Sequence, residues 1–156
     1  MSYLLDTNVI SEAKKPSPDT KVLRWLASHD PTETYLSVVT LGELREGISY
    51  LGNTKKAREL HLWLAQLKQL FYSRTLNIDE SVADTWGQLR GEAKRKGRTL
   101  PVIDSLLAAT AIVHDLTLVT RNTKDFAVLP VKLFNLCGWN SPRLCLEIVR
   151  EAADEL

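Results

Sequence analysis

At 156 residues, 44% of them hydrophobic, the chain has the size and apolar content of one domain with a sizeable core. A formal net charge of +1 excludes the strongly basic signature of a general nucleic-acid binder and leaves room only for a focused basic patch. Two cysteines, Cys137 and Cys145, are too few for a disulfide scaffold and read as free thiols; with no signal-type start and no bilayer-length apolar run, a soluble cytoplasmic protein is expected, with no membrane partner.

The first predicted element is a short strand over 3–5 (YLL), followed by helices over about 7–15 and 19–29. A strand over 34–39 (TYLSVV) leads into helices over 40–51 and 54–71. A weaker strand over 74–78 (RTLNI) precedes helices over 80–97 and 103–114. Two more strands, 116–120 (LTLVT) and 131–134 (VKLF), complete the pattern. After Pro142, Leu144, Ile148 and Ala152 step at helical intervals and predict a helical extension over 142–156, docked on the domain or on a second subunit. Strands alternating with helices imply an α/β fold, a mostly parallel sheet covered on both faces. Neither a repeat nor a linker divides the chain, so 1–156 is read as a single domain.

Ligands in such sheets gather at the carboxyl ends of the strands. Asp6, directly after the first strand, and the segment TRNTKDF (120–126), after the fourth, fall at that rim. Four acidic residues are candidates for chemistry there, and each also has a structural reading. Asp6 can cap the following helix. Glu43 closes a Thr-x-x-Glu capping box begun by Thr40. Asp104 suits the first turn of a helix, where the dipole favours negative charge, and Asp125 suits a turn.

Together the four suggest more. Two like charges about 4 Å apart repel by roughly 4 kcal/mol at an effective dielectric of about 20, and a divalent cation removes that conflict. All-oxygen ligation selects a hard ion, Mg²⁺ or Mn²⁺. Such an ion would also let the acidic rim accept a phosphodiester, so metal-assisted hydrolysis is the reaction class expected. His29, His61 and His114 are widely separated, and none has zinc-ligand spacing with a cysteine. The chain has no Gly-rich phosphate loop, nucleophile elbow or dinucleotide fingerprint. The lack of an evident His pair also weighs against cleavage through the RNA 2′-hydroxyl.

LLDTNVISE, SVVTLGELREGI, LPVIDSLLAATAIVHDLTLVTRNTKDF and LFNLCGW occur in an order and spacing that resembles the landmarks of PIN-domain proteins, over about Tyr3 to Trp139. Within that family the chain most resembles the VapC toxins of type II toxin–antitoxin systems, in their FitB-like branch. The resemblance implies a three-layer α/β/α fold and a Mg²⁺- or Mn²⁺-dependent endoribonuclease acting on structured cellular RNA. It places the family's acidic residues on Asp6, Glu43, Asp104 and Asp125, and its supporting polar residues on Thr7, Asn8, Thr120 and Asn122. It also implies a homodimer, silenced in a hetero-oligomer by a cognate VapB-like antitoxin whose peptide, often through an Arg, enters the acidic pocket. The tail after Pro142 departs from the compact family pattern.

Arg121 and Lys124, beside Asp125, are the expected contacts for the scissile phosphate. KRKGR (94–98) is either an RNA contact through Lys94, Arg95, Lys96 and Arg98, or a solvated helix end capped by Gly97. Trp25, Trp63 and Trp86 are either core residues or platforms for splayed bases. In the expected mechanism Asp6 and Asp104 hold the ion and Glu43 and Asp125 complete its shell, leaving a 5′-phosphate and a 3′-hydroxyl. Two alternatives remain open: a non-catalytic RNA- or protein-binding module of the same fold, and a metal-dependent phosphatase of the haloacid-dehalogenase kind. The latter would carry a second Asp where this chain has Asn8.

Overall fold

A computed structural model describes residues 1–139. The order is β1 (Tyr3–Leu5), α1 (Thr7–Ile10, continued by a 3-10 turn over Ser11–Lys14), α2 (Thr20–Ser28), β2 (Thr34–Ser37), α3 (Val38–Tyr50) and α4 (Lys55–Leu70). Then follow β3 (Thr75–Leu76), α5 (Glu80–Arg95), α6 (Val102–Val113), β4 (Thr117–Thr120) and β5 (Leu133–Asn135). The helix expected over 142–156, and Cys145 within it, lie outside the described residues.

Five strands form one sheet in the order β3-β2-β1-β4-β5, and every pairing is parallel. β1 and β4 are therefore neighbours, with Leu5 opposite Val119, although more than a hundred residues separate them in the chain. Alternation along each strand sends successive side chains to opposite faces. Leu5 and Val119 join Val9, Trp25, Leu36 and Leu64 on one side. Leu4 and Leu118 join Leu107, Ala108, Ala111 and Phe126 on the other. The sheet is thus the middle of three layers, and its central strands need apolar residues at every position, which is why YLL is a run and not an alternating pattern.

α6 explains how helix meets sheet so closely. Its buried positions, Ser105, Leu107, Ala108, Ala109, Thr110 and Ala111, are mostly small, so the helix backbone approaches the sheet while Leu107 fills the gap. On the other face, Trp25 is fully buried, with Tyr3 edge-on at 5.1 Å and His29 stacked at 4.0 Å between ring centroids. Trp86 is half-buried and donates from Nε1 to Ser105 Oγ at 3.0 Å, so both rings are anchored in the fold.

One local expectation is corrected. The strand expected to run to 39 stops at Ser37, because the Ser37 hydroxyl accepts from Val39 N at 3.2 Å and starts α3 there. Thr40 is consequently inside the helix, its hydroxyl donating to the Leu5 carbonyl at 3.5 Å. The Thr40–Glu43 capping box does not form, and the Glu43 side chain is left for other partners. At the far end of α5, by contrast, the helix cap expected at Gly97 forms. Gly97 takes φ +72° and donates to Lys94 O at 3.0 Å, and Arg98 N donates to Ala93 O at 2.9 Å, the paired bonds of a Schellman motif.

Candidate active site

Asp6 follows β1 directly. Its main-chain N–H continues the sheet by donating to Val119 O at 3.0 Å, while its carbonyl accepts from Val9 N at 2.9 Å and opens α1. The backbone is that of an N-cap, yet the carboxylate makes no capping hydrogen bond. It receives Thr120 Oγ1 at 2.7 Å and Asn8 Nδ2 at 2.6 Å instead. Thr120 is the last residue of β4, so the β1–β4 pairing brings a helper from the far end of the chain onto Asp6.

The other helper positions behave similarly. Thr7 donates its hydroxyl to Glu43, joining α1 to α3. Asn122 donates its side-chain amide to Asp125. Asn8 also donates to Thr120 Oγ1 at 3.1 Å, and the same oxygen accepts from Asn122 N at 3.0 Å. All four predicted polar residues therefore hold a carboxylate, and they serve Asp6, Glu43 and Asp125. Asn8, which stands where a phosphatase of the haloacid-dehalogenase kind would carry its second Asp, is a donor to Asp6 and not an acid.

The four carboxylates come from separate stretches of chain, and three of them are electrostatically frustrated. Burial pushes Asp6 above its ordinary value, against the opposing pull of the hydrogen bonds from Thr120 and Asn8. Burial also raises Glu43 against the Thr7 hydrogen bond, and the charges of Asp6, Asp104 and Glu46 add to the rise. Asp104, in the first turn of α6, is raised by burial, then by Asp125 and Asp6. Each carboxylate thus lies in the field of at least one other, with Asp104 linking Glu43 and Asp6 to Asp125.

Whether this donor set suits a cation can be judged from its chemistry. The groups are all hard oxygens, negative, partly desolvated and mutually repelling. Among the described residues, no three His, Cys, Asp or Glu side chains stand close enough together to hold a metal ion by themselves. An open carboxylate rim fits an ion that keeps several waters and takes one or two carboxylates directly, the habit of Mg²⁺. No histidine competes: His29 lies on Trp25, His61 Nδ1 is paired with Arg45 at 2.5 Å, and His114 lines a cavity that contains none of the four carboxylates.

Around the rim, the cations sort into two groups. Lys124 is exposed one residue before Asp125, as expected. Lys94, Arg95, Lys96 and Arg98 are exposed at and after the end of α5. Arg121 does more than expected. Its guanidinium is ion-paired with Glu12 at 2.6 Å and Asp19 at 3.4 Å, so it also ties the fold together beside the site. Glu12 is the residue sequence reasoning passed over. It reads as a surface position in ISEAKK, yet it is only 2% exposed, and its spacing of four from Asn8, placing both on one helix face, was the available signal.

A groove of about 280 Å³ runs from Thr7 and Glu43 over Leu44, Ile48 and Leu60 to Trp63. A larger cavity of about 590 Å³ lies at the opposite ends of the strands, beside Ser2, Leu116 and Thr117, and contains none of the four carboxylates. Charge, and not cavity size, marks the place for chemistry. Among the described residues no helix is long and apolar enough to cross a membrane.

Comparison with known proteins agrees with this geometry. Toxin FitB of Neisseria gonorrhoeae is 44% identical over 133 residues, covering 85% of this chain and 96% of its own. Ribonuclease VapC2 of Rickettsia felis is 35% identical over 134 residues, covering 83% and 93%. Among solved structures, FitAcB from Neisseria gonorrhoeae superposes with a TM-score of 0.83 at 43% identity, covering 88% of this chain and 99% of that one. VapBC2 from Rickettsia felis, bound to a DNA fragment from their promoter, gives 0.69 at 30% identity, covering 90% and 100%. The PIN domain model matches residues 3–132, which takes in β1, the whole rim and the start of the approach to β5. With that match and these relatives, the chain belongs to the PIN-domain family.

Proposed function

We propose that this protein is a Mg²⁺- or Mn²⁺-dependent endoribonuclease and the toxin of a toxin–antitoxin pair. The observation that carries the reading is the electrostatic strain among Asp6, Glu43, Asp104 and Asp125: burial raises the first three, and neighbouring carboxylates raise Glu43 and Asp104 further. A toxin FitB and a ribonuclease VapC2 among its relatives support the same activity.

Asp6 and Asp104 would hold the ion, directly or through water, and Glu43 and Asp125 would complete its shell. When bound, the ion supplies Lewis acidity for attack of water on the phosphodiester and neutralises charge developing on the phosphate. Thr120 and Asn8 fix the Asp6 carboxylate, Thr7 fixes that of Glu43, and Asn122 that of Asp125. Each carboxylate oxygen used by a helper is then oriented before substrate arrives, which lowers the reorganisation needed in the reaction. Lys124, exposed one residue before Asp125, is the proposed contact for substrate phosphate. Cleavage leaves a 5′-phosphate and a 3′-hydroxyl.

The cognate partner is a VapB-like antitoxin. Its peptide fits the groove that opens on Glu43, with apolar side chains against Leu44, Ile48, Leu60 and Trp63 and a cation on the acidic rim. Similarity to the FitAcB and VapBC2 structures supports this assignment; the toxin is taken to be a homodimer within the hetero-oligomer. Cytoplasm is the compartment this function implies.

The test is incubation of antitoxin-free protein with total bacterial RNA in Mg²⁺, in Mn²⁺ and in EDTA, alongside Asp6→Asn, with end-group analysis. Fragments with 5′-phosphates, lost in EDTA and in the variant, are the expected result. Metal-independent RNA binding without cleavage would instead support a non-catalytic module, and a 2′,3′-cyclic phosphate would exclude direct attack of water.

A further inference from the structure

Glu12 belongs to no carboxylate of the rim, yet it is almost wholly buried, at 2% exposure. An acidic side chain at such a place is costly without partners. It has three contacts, one with each of three neighbours. Oε2 pairs with Arg121 Nη1 at 2.6 Å and with Lys15 Nζ at 2.6 Å, and Oε1 accepts from Asp19 N at 2.9 Å. Asp19 adds a second carboxylate to the same guanidinium, reaching Arg121 Nη2 at 3.4 Å. Burial opposes the Glu12 charge, but Lys15, the Asp19 N–H and Arg121 together hold its carboxyl below the ordinary value. Arg121 Nε is buried without a hydrogen-bond partner, so the grip on the guanidinium rests on its two Nη atoms.

What Arg121 does with its main chain gives this anchor a purpose. Its N–H donates to Asn8 Oδ1 at 3.1 Å. That bond fixes which end of the Asn8 carboxamide faces which way. The oxygen is turned to Arg121, and the Nδ2 end must then face Asp6 Oδ2 at 2.6 Å and Thr120 Oγ1 at 3.1 Å. A flipped carboxamide would set an oxygen against the Asp6 carboxylate.

We propose that Glu12 is a positioning residue for the metal-binding rim: by anchoring Arg121 at the end of β4 it fixes the Asn8 carboxamide, and through Asn8 the carboxylate of Asp6. The inference rests on the reading of Asp6 as a metal ligand. Glu12 touches neither ion nor substrate and acts through two intermediates, one main-chain and one side-chain. Outer partners that orient a metal ligand typically change affinity or activity by about 10–100-fold when lost, and that is the effect assigned to Glu12.

The experiment compares wild type with Glu12→Gln, which keeps size and the acceptor for Asp19 N but removes the charge that holds Arg121. Two quantities are read: the side-chain amide resonances of Asn8 by NMR without metal, and Mn²⁺ affinity by electron paramagnetic resonance without RNA. Leu64→Ala, a core truncation on α4, serves as a control that lowers the melting temperature without touching the chain of contacts. The expected result is a displaced, faster-exchanging Asn8 amide and Mn²⁺ binding weakened about 10–100-fold in Glu12→Gln, with both unchanged in Leu64→Ala. An unmoved Asn8 amide overturns the proposal, whatever happens to Mn²⁺. So does Mn²⁺ affinity within twofold of wild type, or an equal loss in the core variant. If wild type binds no Mn²⁺, the metal reading fails by itself, and the Asn8 signal still decides whether Glu12 positions it. Should Glu12→Gln not fold, Arg121→Lys removes the two-pronged contact while retaining a cation beside Glu12, and the same readouts apply.

Discussion

Thr120 donates its hydroxyl to Asp6 at 2.7 Å across 114 residues of sequence, and both groups are buried. The bond exists because β1 and β4 are adjacent parallel strands that end at the same level. The Thr120 oxygen is also an acceptor for Asn8 Nδ2 and Asn122 N, so one hydroxyl serves three of the site's connections.

Replacing Thr120 by Val keeps the shape and removes that oxygen. Asp6 loses a donor and two N–H groups lose their acceptor, so destabilisation of about 1–3 kcal/mol is expected from urea unfolding. The Asp6 carboxyl should rise further, because the largest influence opposing its burial is gone. Carbon-13 NMR of the Asp6 carboxyl checks the second effect independently of the first.

Asp104→Asn should separate activity from stability. The substitution removes a charge that raises Glu43 and that is itself raised by Asp125 and Asp6. Metal-free protein is expected to melt higher by roughly 2–4 °C, the shift that about 1 kcal/mol produces in a chain of this size. RNA cleavage should fall by at least about 100-fold. A variant that loses melting temperature and keeps its activity would remove Asp104 from the site.

The pH dependence of metal-free protein has a definite sign. Asp6, Glu43 and Asp104 bind protons more tightly folded than unfolded, so folding is favoured as pH falls and stability declines as pH rises from about 3.8 for the aspartates and 4.5 for Glu43 through their raised folded values. Glu12 has the opposite sign: its contribution is present above 4.5 and is lost as pH falls through its lowered value. Thermal melts in EDTA should therefore show a decline on the neutral side of the carboxyl range. Saturating Mn²⁺ should reverse it, adding about 2.7 kcal/mol at one hundred times its dissociation constant. Identical profiles with and without Mn²⁺ would contradict a metal bound at the rim.

RNA contacts can be counted from salt dependence. For single-stranded RNA each phosphate contact contributes about 0.7 to the slope of log affinity against log salt. Lys124→Gln should reduce the slope by that amount. Lys94→Gln and Arg98→Gln decide between the two roles of KRKGR: an RNA contact lowers the slope, whereas a cation serving only the end of α5 leaves it unchanged and costs a few tenths of a kcal/mol in stability. Gly97→Ala tests the cap itself, at about 1–2 kcal/mol for a left-handed residue with a Cβ.

Much of this protein was legible along the chain. The apolar run YLL, the alternation of strand and helix, Gly97 after α5 and the placing of Asp6 and Asp125 after strands all follow from local rules, because side-chain period and turn chemistry act over a few residues. The four acidic positions were read as a metal-binding set from their residue types, and the resemblance added the four polar positions, each of which is found holding a carboxylate. Local rules misjudged Thr40, where Ser37 three residues earlier captured the helix start. They were also silent on the ion pairs that Arg121 makes with Glu12 and Asp19.

Tertiary structure decided what local rules cannot express. Strand order β3-β2-β1-β4-β5 put Thr120 and Arg121 beside Asp6, Asn8 and Glu12. A carboxylate's role depends on which distant groups share its dielectric surroundings. Asp6 became a member of a charged rim, and Glu12 the buried partner of an arginine, because burial and long-range neighbours, and not residue type, set the energy of each charge. The sequence by itself determined the elements and the acidic donors; parallel pairing of β1 with β4 determined which donors meet.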